Sequence, residues 1–556
     1  MNLAFASRVP RIALPRFPRP EASTETVALI LSVFFAVACN QRFWAEAMAG
    51  RVAWDRATWL FATGLLTILV GLHFLLLCMV LGRWLSKLLW SLLIVATGFA
   101  TYYMNTYAVY LDPNMLRSVL ATETNEARDL LVGGLASHVL AFAGPPLALL
   151  WSVRLRRSSW QRVLIVRIAA VMGAALVVAV AVLLMFQDLS SLMRNHREMR
   201  YLVTPANFLY STARALSGEA KADGTPLAPL GPDARLAASW QARTNPVLFI
   251  MVVGETARSA NWGLNGYDRQ TTPQLAAMDV INFNHVQSCG TDTETSLPCM
   301  FSAIGRRDYD AARIRNSESL LHLLRRVGFN VVWRDNNTGC KGVCAGIGEE
   351  RVDRLAIPFI CDGDGGCQDE VLLHGLESVA RDNRGNLFVV LHQVGNHGPA
   401  YSRRYPESFR RFTPTCDTAE LRLCQREEIV NAYDNALLYT DQFLAETIAF
   451  LKKHDGRYDT ALLYVSDHGE SLGENGIYLH GIPYAIAPDV QKQVPMVMWF
   501  SPAFLHSFRI DEECLRRRAA RPATHDNLVH TLLGMLQVET GVLDPSLDLS
   551  RDCRAG

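Results

Sequence analysis

Five long stretches without a charged side chain lie in the N-terminal third of the sequence, and they limit what this chain can fold into. They cover residues 26–41, 57–82, 88–111, 130–153 and 168–187. A helix needs about 20 consecutive apolar residues to cross a bilayer, and each stretch is close to that length. The sequence therefore predicts an α-helical transmembrane domain of five helices over residues 1–187.

Basic side chains cluster in every second segment that flanks these stretches, starting with the segment before the first one. They lie before the first stretch (Arg8, Arg11, Arg16 and Arg19), between the second and third (Arg83 and Lys87), and between the fourth and fifth (Arg154, Arg156, Arg157 and Arg162). Loops rich in Lys and Arg stay in the cytoplasm. An odd number of spans then places all residues after 187 outside the cytoplasm.

The segment that follows the last span has a different composition. Residues 188–216 mix polar and aromatic side chains, which is typical of an element at a membrane interface. Residues 217–233 are rich in Gly, Ala and Pro and predict a flexible linker. We therefore expect residues 188–244 to connect the membrane domain to an exported domain. The net charge of only +1 argues against nucleic acid as a partner.

Residues 245–556 show an α/β pattern. Apolar runs at residues 247–253, 331–333, 387–391, 460–465 and 494–500 predict buried strands, and helical patterns separate them. The pattern indicates a mostly parallel sheet covered on both faces. Ten of the twelve cysteines lie at or after Cys289, which is typical of an oxidising compartment.

Polar residues follow several of these runs directly. Glu255 comes after the first run and Asp467-His468 after the fourth. Ligands bind outside the carboxyl ends of the strands in open α/β sheets, and carboxylate and imidazole groups suit Zn²⁺. The alternative for Asp467-His468 is an ordinary polar turn, but Glu255 supplies a third candidate ligand.

Hydroxyl groups crowd residues 288–299, where Thr293 lies between Cys289 and Cys299. A hydroxyl is a poor nucleophile until a base or a metal stabilises its alkoxide. A zinc site nearby makes Thr293 a candidate nucleophile. The alternative is a stapled, Thr-rich surface loop.

Motifs along nearly the whole chain resemble one family, in order and in spacing. They are Val252–Arg258 (VVGETAR), 288–291 (SCGT), 296–302 (SLPCMFS), 333–337 (WRDNN), 339–344 (GCKGVC), 397–399 (HGP) and 433–435 (YDN). The chain resembles the inner-membrane phosphoethanolamine transferases that modify lipid A, a bacterial family that includes the mobile colistin-resistance enzymes. The resemblance implies an exported domain of the alkaline phosphatase/sulfatase-like fold, over residues 245–556 in the periplasm.

The resemblance also implies roles for particular residues. The zinc ligands map onto Glu255, Thr293, Asp467 and His468, and Thr293 is the expected nucleophile. The residues expected at the substrate phosphate are Thr338, Lys341, His397 and His480, and the two histidines are candidate catalysts as well. The residues expected at the donor headgroup are Ser118, Thr122 and Glu126; relatives often carry asparagine at the position of Ser118, and serine where Thr338 stands.

Short spacings between cysteines suggest the disulfides Cys289–Cys299, Cys340–Cys344, Cys361–Cys367 and Cys416–Cys424, which the resemblance supports. Cys514 and Cys553 are candidates for a fifth. Zinc binding by Cys340 and Cys344 is the alternative for that pair. Cys39 and Cys78 lie in predicted spans and are expected to be free.

The expected activity is transfer of phosphoethanolamine from phosphatidylethanolamine to lipid A, with Zn²⁺ as cofactor and a phosphothreonine-type intermediate. We expect a monomer whose other partners are membrane lipids. The alternatives are a phosphoglycerol transferase, a sulfatase-like hydrolase, a transferase that acts on another envelope glycan, and a zinc-binding membrane sensor without catalysis.

Overall fold

The computed structural model describes residues 20–53, 55–80, 82–122, 130–219, 226–355, 357–361 and 366–554. Two compact units are present, and neither is continuous in sequence. The first comprises the chain up to Tyr102, together with Ser137–Met199 and Val203–Pro205. The second comprises Tyr103–Ala136, Arg200–Leu202 and the chain from Ala206 onward. The sequence places the ends of the membrane domain and of the connecting segment at residues 187 and 244, and these two boundaries remain predictions.

The N-terminal third is helical, as predicted. In chain order its described helices are α1 (Thr24–Ala38), α2 (Gln41–Ala47), α3 (Arg56–Cys78), α4 (Arg83–Tyr107), α5 (Pro113–Ala121), α6 (Gly133–Ser152), α7 (Trp160–Leu184), α8 (Phe186–Asn195) and α9 (Ala206–Glu219). Four of them, α3, α4, α6 and α7, are long and apolar enough to cross a membrane. A fifth span exists only if α1 and α2, which meet at 58°, are counted together. The described residues thus contain four or five membrane-spanning helices.

The bend between α1 and α2 lies at Asn40, whose amide replaces hydrogen bonds that the helix loses there. Its Nδ2 donates to the carbonyl oxygens of Phe35 and Thr204 at 2.7 and 2.8 Å, and its Oδ1 accepts from Thr204 N at 2.8 Å. Asn40 is 1% exposed, so each of these groups is out of reach of water. The amide therefore satisfies backbone groups that are costly to bury without a partner.

The last span is longer than its uncharged stretch, because α7 begins at Trp160 and includes Arg167. The Arg167 guanidinium pairs with Glu25 at 3.0 Å and donates to the carbonyl oxygens of Cys78 and Val80. These carbonyls lie at the end of α3, where a helix leaves acceptors unsatisfied. The paired and hydrogen-bonded arginine explains how a charge is accommodated inside this helix.

An eight-stranded sheet is the centre of the second unit. Its strands are β1 (Val247–Gly254), β2 (Ile281–Gln287), β3 (Asn330–Asp335), β4 (Glu349–Arg351), β5 (Leu387–His392), β6 (Asp459–Ser466), β7 (Gln493–Phe500) and β8 (Ala523–Thr524). Their spatial order is β8-β2-β7-β6-β1-β5-β3-β4, and only β7 runs antiparallel to its neighbours. The mostly parallel α/β sheet of the prediction is confirmed, and all five predicted strands are present.

The second unit also contains helices and short strands outside this sheet, and one pair of short strands, Glu21–Ala22 with Arg154–Leu155, lies in the first unit. The described helices are Pro273–Ala276, Thr293–Met300, Ala311–Arg315, Leu320–Arg326, Leu376–Asp382, Arg426–His454, Pro502–Phe508, Glu512–Ala519 and Asp526–Met535. Two-residue strands pair outside the main sheet: Glu21–Ala22 with Arg154–Leu155, Ser471–Leu472 with Tyr478–Leu479, and Arg235–Leu236 with Val538–Glu539. Every residue of β1, β5 and β6 is buried, which is why these strands are almost purely apolar.

Candidate metal and phosphoryl-transfer site

The strand register brings two predicted ligands together. Strands β1 and β6 are parallel neighbours, with Gly254 opposite Ser466. Glu255 and Asp467 are the next residues of the two strands, so both emerge at the same edge. Asp467 N donates to Gly254 O at 2.9 Å, and Thr256 N donates to Asp467 Oδ1 at 3.2 Å. Backbone bonds thus place Asp467 beside the end of β1 and orient its carboxylate.

Glu255, Asp467 and His468 form a buried cluster. One ligand atom from each lies within 4.8 Å of the other two. His468 Nε2 is 3.3 Å from Glu255 Oε1 and 3.3 Å from Asp467 Oδ2. Within the described residues Asp467 Oδ2 has no hydrogen-bond partner. A buried carboxylate oxygen without a partner is costly, and a dication held by oxygen and nitrogen ligands removes that cost, so these residues fit Zn²⁺.

The charges in the cluster point the same way. Burial alone raises the pKa of Glu255, but the hydrogen bond and charge of His468 bring it below the usual range. Burial and the neighbouring Glu255 raise the pKa of Asp467 to about 7. Burial lowers the pKa of His468, yet Asp467 and Glu255 raise it to about 10. Two buried carboxylates and an imidazole in contact are a donor set that favours a bound cation.

Thr293 is the first residue of helix Thr293–Met300, and Asp292 caps that helix by accepting from Thr295 N at 2.8 Å. Thr293 Oγ1 lies 3.1 Å from Glu255 Oε2, 3.3 Å from Glu255 Oε1 and 3.4 Å from His468 Nε2. The structure therefore places the predicted nucleophile against two of the predicted ligands.

The two predicted catalytic histidines lie close to His468. The His480 ring is centred 4.4 Å from the His468 ring and 5.4 Å from the His397 ring. His480 Nδ1 is 3.4 Å from Glu470 Oε2, and that carboxylate raises the pKa of His480 against the effect of burial. Burial lowers the pKa of His397 to about 3. The two imidazoles therefore differ, with the pKa of His480 shifted up and that of His397 shifted down.

Lys341 and Thr338 lie on the loop after β3. Lys341 Nζ donates to Thr338 O at 3.0 Å, and the Lys341 backbone has φ +48°. Burial raises the pKa of Glu294, the residue after Thr293, and the charges of Arg315 and Lys341 oppose that rise. The role of Lys341 at the phosphate remains a prediction.

The residues expected at the donor headgroup lie on and after α5. Ser118 is in this helix, and Thr122 is its C-cap, where Thr122 Oγ1 donates to Ser118 O at 2.8 Å. Glu126 lies outside the described residues. The second compact unit includes α5, so Ser118 and Thr122 belong to the same unit as the expected zinc ligands.

Comparison with known proteins shows the family. Residues 248–538 match the sulfatase family model, and residues 69–220 match the model of phosphoethanolamine transferase EptA/EptB. The chain is 40% identical over 474 residues to phosphoethanolamine transferase EptA of Escherichia coli strain K12, an alignment that covers 85% of this chain and 86% of the relative. The chain belongs to the phosphoethanolamine transferase family.

Other relatives of this transferase family agree. Phosphatidylethanolamine transferase Mcr-1 of Escherichia coli is 38% identical and covers 75% of this chain, with 79% of its own length aligned. Among solved structures, the integral membrane lipooligosaccharide phosphoethanolamine transferase A of Neisseria meningitidis has a TM-score of 0.90 at 35% identity. That match covers 97% of this chain and 100% of the other. The full-length likeness confirms the combination of membrane helices and sulfatase-like domain.

Sequence reasoning missed the part that Asn337 plays in this transferase. Asn337 Nδ2 donates to Glu255 Oε2 at 2.8 Å and to Gln393 O at 2.9 Å, and it lies 3.4 Å from His392 Nε2. His392 in turn pairs with Asp335 at 2.7 Å, and both are fully buried. Asn337 is the last residue of the WRDNN motif at 333–337, but the motif does not predict its contact with Glu255. Its position just after β3, a strand that pairs with β5, is the sequence feature that could have indicated a residue at this edge of the sheet.

The structure contains five disulfides: Cys289–Cys299, Cys340–Cys344, Cys361–Cys367, Cys416–Cys424 and Cys514–Cys553. They are the four expected pairs and the candidate fifth. Cys340 and Cys344 are therefore joined to each other rather than placed as zinc ligands. The two free cysteines among the described residues are Cys39 and Cys78, both buried.

Proposed function

We propose that this protein transfers phosphoethanolamine from phosphatidylethanolamine to lipid A, with its catalytic unit in the periplasm. The observation that carries the proposal is the position of Thr293 Oγ1, 3.1–3.4 Å from Glu255 and His468. A hydroxyl held against a buried cluster of metal-ligand type is the arrangement that an alkoxide nucleophile needs. The names of the relatives support the donor and the transferred group.

In the first half-reaction, Thr293 Oγ attacks the phosphorus of the donor while the bond to the diacylglycerol oxygen breaks. The Thr293 hydroxyl proton is directed at Glu255 Oε2, which accepts it. Glu470 raises the pKa of His480, and the His480 imidazole donates a proton to the departing oxygen. The products are diacylglycerol and a phosphoethanolamine ester on Thr293.

Glu255, Thr293, Asp467 and His468 are the residues that would hold Zn²⁺. When bound, the ion supplies Lewis-acid chemistry that lowers the pKa of the threonine hydroxyl and offsets charge on the phosphoryl oxygens. Lys341 adds a second positive charge for the phosphoryl group. Thr338 lies beside it.

In the second half-reaction, a phosphate oxygen of lipid A attacks the phosphorus on Thr293 and gives its proton to His480. The threonine oxygen leaves and takes back the proton held on Glu255. The scheme is ping-pong. The added ammonium group lowers the net negative charge of the acceptor, so cationic peptides such as polymyxins are expected to bind the membrane surface less well.

The test uses the purified full-length protein in detergent micelles with phosphatidylethanolamine. Mass spectrometry of the peptide that contains Thr293 should show a phosphoethanolamine adduct, and Thr293→Ala should lower transfer at least about 1,000-fold. Thr293→Ser, which keeps a hydroxyl, should retain an adduct. No adduct in the wild type, or normal transfer by Thr293→Ala, would sink the nucleophile assignment.

The acceptor needs a separate measurement. Lipid A from cells that carry the gene should gain phosphoethanolamine, and lipid A from cells that lack it should not. Release of free ethanolamine phosphate without any lipid acceptor would indicate a hydrolase. Modified core sugars with unmodified lipid A would indicate a different acceptor, and zinc binding without transfer would indicate a sensor.

A further inference from the structure

Within the second compact unit, helix α5 packs against the helix Thr293–Met300. Asn114 Nδ2 of α5 donates to Thr295 Oγ1 at 3.0 Å, although the two residues are 181 positions apart. Thr295 is 5% exposed and lies two residues after Thr293. The contact therefore joins α5 to the first turn of the helix that begins with the nucleophile.

Neighbouring side chains fix the orientation of this hydrogen bond. Arg117 Nη1 donates to Asn114 Oδ1 at 2.6 Å. Arginine has no acceptor, so the Asn114 oxygen faces Arg117 and its NH₂ group faces Thr295. A threonine hydroxyl oxygen can accept this bond from Asn114.

A second contact joins α5 to the loop that carries His480. Gly481 has φ +85°, and a Cβ atom placed there would lie 2.5 Å from Met115 Cε. Gly481 N also donates to Thr291 O at 2.7 Å. Helix α5 therefore touches segments next to Thr293 and next to His480.

The spacing along α5 connects this contact to the donor. Asn114, Ser118 and Thr122 are four residues apart, which places them on one face of a helix. Ser118 and Thr122 are the residues expected at the donor headgroup. The face of α5 that is expected to contact the donor lipid thus also carries Asn114, which is bonded to the helix that begins with Thr293.

We propose that Asn114 is a positioning residue for the donor half-reaction: its bond to Thr295 sets the distance between the lipid-contacting face of α5 and Thr293. This inference rests on the proposed function. The second half-reaction starts from the ester on Thr293 and no longer involves the donor lipid. Loss of the bond should therefore slow formation of the ester and leave its consumption unchanged.

The experiment separates the two half-reactions in the full-length protein in micelles. Single-turnover formation of the Thr293 adduct from phosphatidylethanolamine is followed by mass spectrometry, and the decay of the preformed adduct is followed with lipid A. The variants are Asn114→Ala, Thr295→Val and the double variant. Thr447→Val is the matched control, because Thr447 is also buried but its hydroxyl bonds to Phe443 O in its own helix.

Asn114→Ala and Thr295→Val should each slow adduct formation about threefold to tenfold, the range for one lost hydrogen bond. The double variant should be no slower than the slower single variant, because both remove the same bond. Adduct decay should stay within about twofold of wild type, Thr295→Ser should restore formation, and Thr447→Val should change neither rate.

Equal slowing of both half-reactions, multiplied effects in the double variant, or unchanged adduct formation in Asn114→Ala would overturn the inference. Failure of the proposed function has a different signature, because the wild type itself would then form no adduct. A melting temperature measured for every variant shows whether a lost rate reflects unfolding, and an unfolded Asn114→Ala would be replaced by Asn114→Ser.

Discussion

Asn337 offers the sharpest test of how the metal site is built. Replacing it with alanine removes the hydrogen bond from Asn337 Nδ2 to Glu255 Oε2, which is 2.8 Å long in the structure. The bond to Gln393 O is lost as well. Glu255 then keeps its charge and its burial but loses the group that orients one of its oxygens.

The magnitude follows from the charge of the partner. A hydrogen bond to an ionised group contributes about 1.5–3 kcal/mol, and each 1.4 kcal/mol is about a factor of ten in an equilibrium constant. Partners behind a metal ligand typically change metal affinity about 10- to 100-fold. Asn337→Ala should therefore weaken zinc binding by about that factor.

The assay is a competition titration of metal-free protein with zinc and a chromophoric chelator, so it reads affinity without any turnover. Asn336→Ala is the matched control, because Asn336 Nδ2 bonds to Cys367 O and to Asp369 and not to Glu255. Unchanged zinc affinity in Asn337→Ala would refute the reasoning. An equal loss in Asn336→Ala would show that general loosening of the loop, and not the bond to Glu255, is responsible.

Two further predictions concern a disulfide and a buried acid. Replacing Cys289 and Cys299 by serine opens a ten-residue loop and should lower the free energy of unfolding by about 3 kcal/mol. Because that loop carries Thr293, the variant should also lose most of its transfer activity. Full transfer rates in the variant would contradict this prediction. Burial raises the pKa of Asp441 to about 7, against the N–H donors of Gln274 and Leu275. The pKa of Asp441 in the folded protein exceeds its value of about 4 in the unfolded chain. The contribution of the protonated carboxyl to the free energy of unfolding is therefore fully present below pH 4, and it is lost as the pH rises to about 7. Asp441→Asn should therefore raise the melting temperature relative to wild type at pH 8 more than at pH 4, and equal shifts would argue against it.

The strands that carry the site were predictable because they are buried on both faces. Strands β1, β5 and β6 each contain a continuous apolar run, and a polar residue ends or follows it: Glu255, His392 and Ser466. Strand β2 was missed because Asn282, Asn284 and His285 interrupt its apolar pattern. Strands β4 and β8 have only three and two residues, too few to produce a periodic signal.

The expected metal ligands Glu255, Asp467 and His468 could be predicted from their position after strands, but the residues that contact them could not. Asn337 reaches Glu255 from the loop after β3, a loop in which Gly339 and Lys341 have positive φ. Such turns depend on tertiary packing, which local sequence does not reveal. Similarly, no periodicity relates Asn114 to Thr295, since they meet across 181 residues of chain.

The discontinuous second unit has a practical consequence for experiments on fragments. A soluble fragment that starts at Ala206 retains the whole sheet and all four expected zinc ligands, but it lacks Tyr103–Ala136, which belong to the same compact unit. Gly481 and the Thr295 hydroxyl would then face solvent in place of α5. Inhibitor screens on such a fragment would report on the metal pocket alone, and compounds that act by wedging between α5 and that pocket would go undetected.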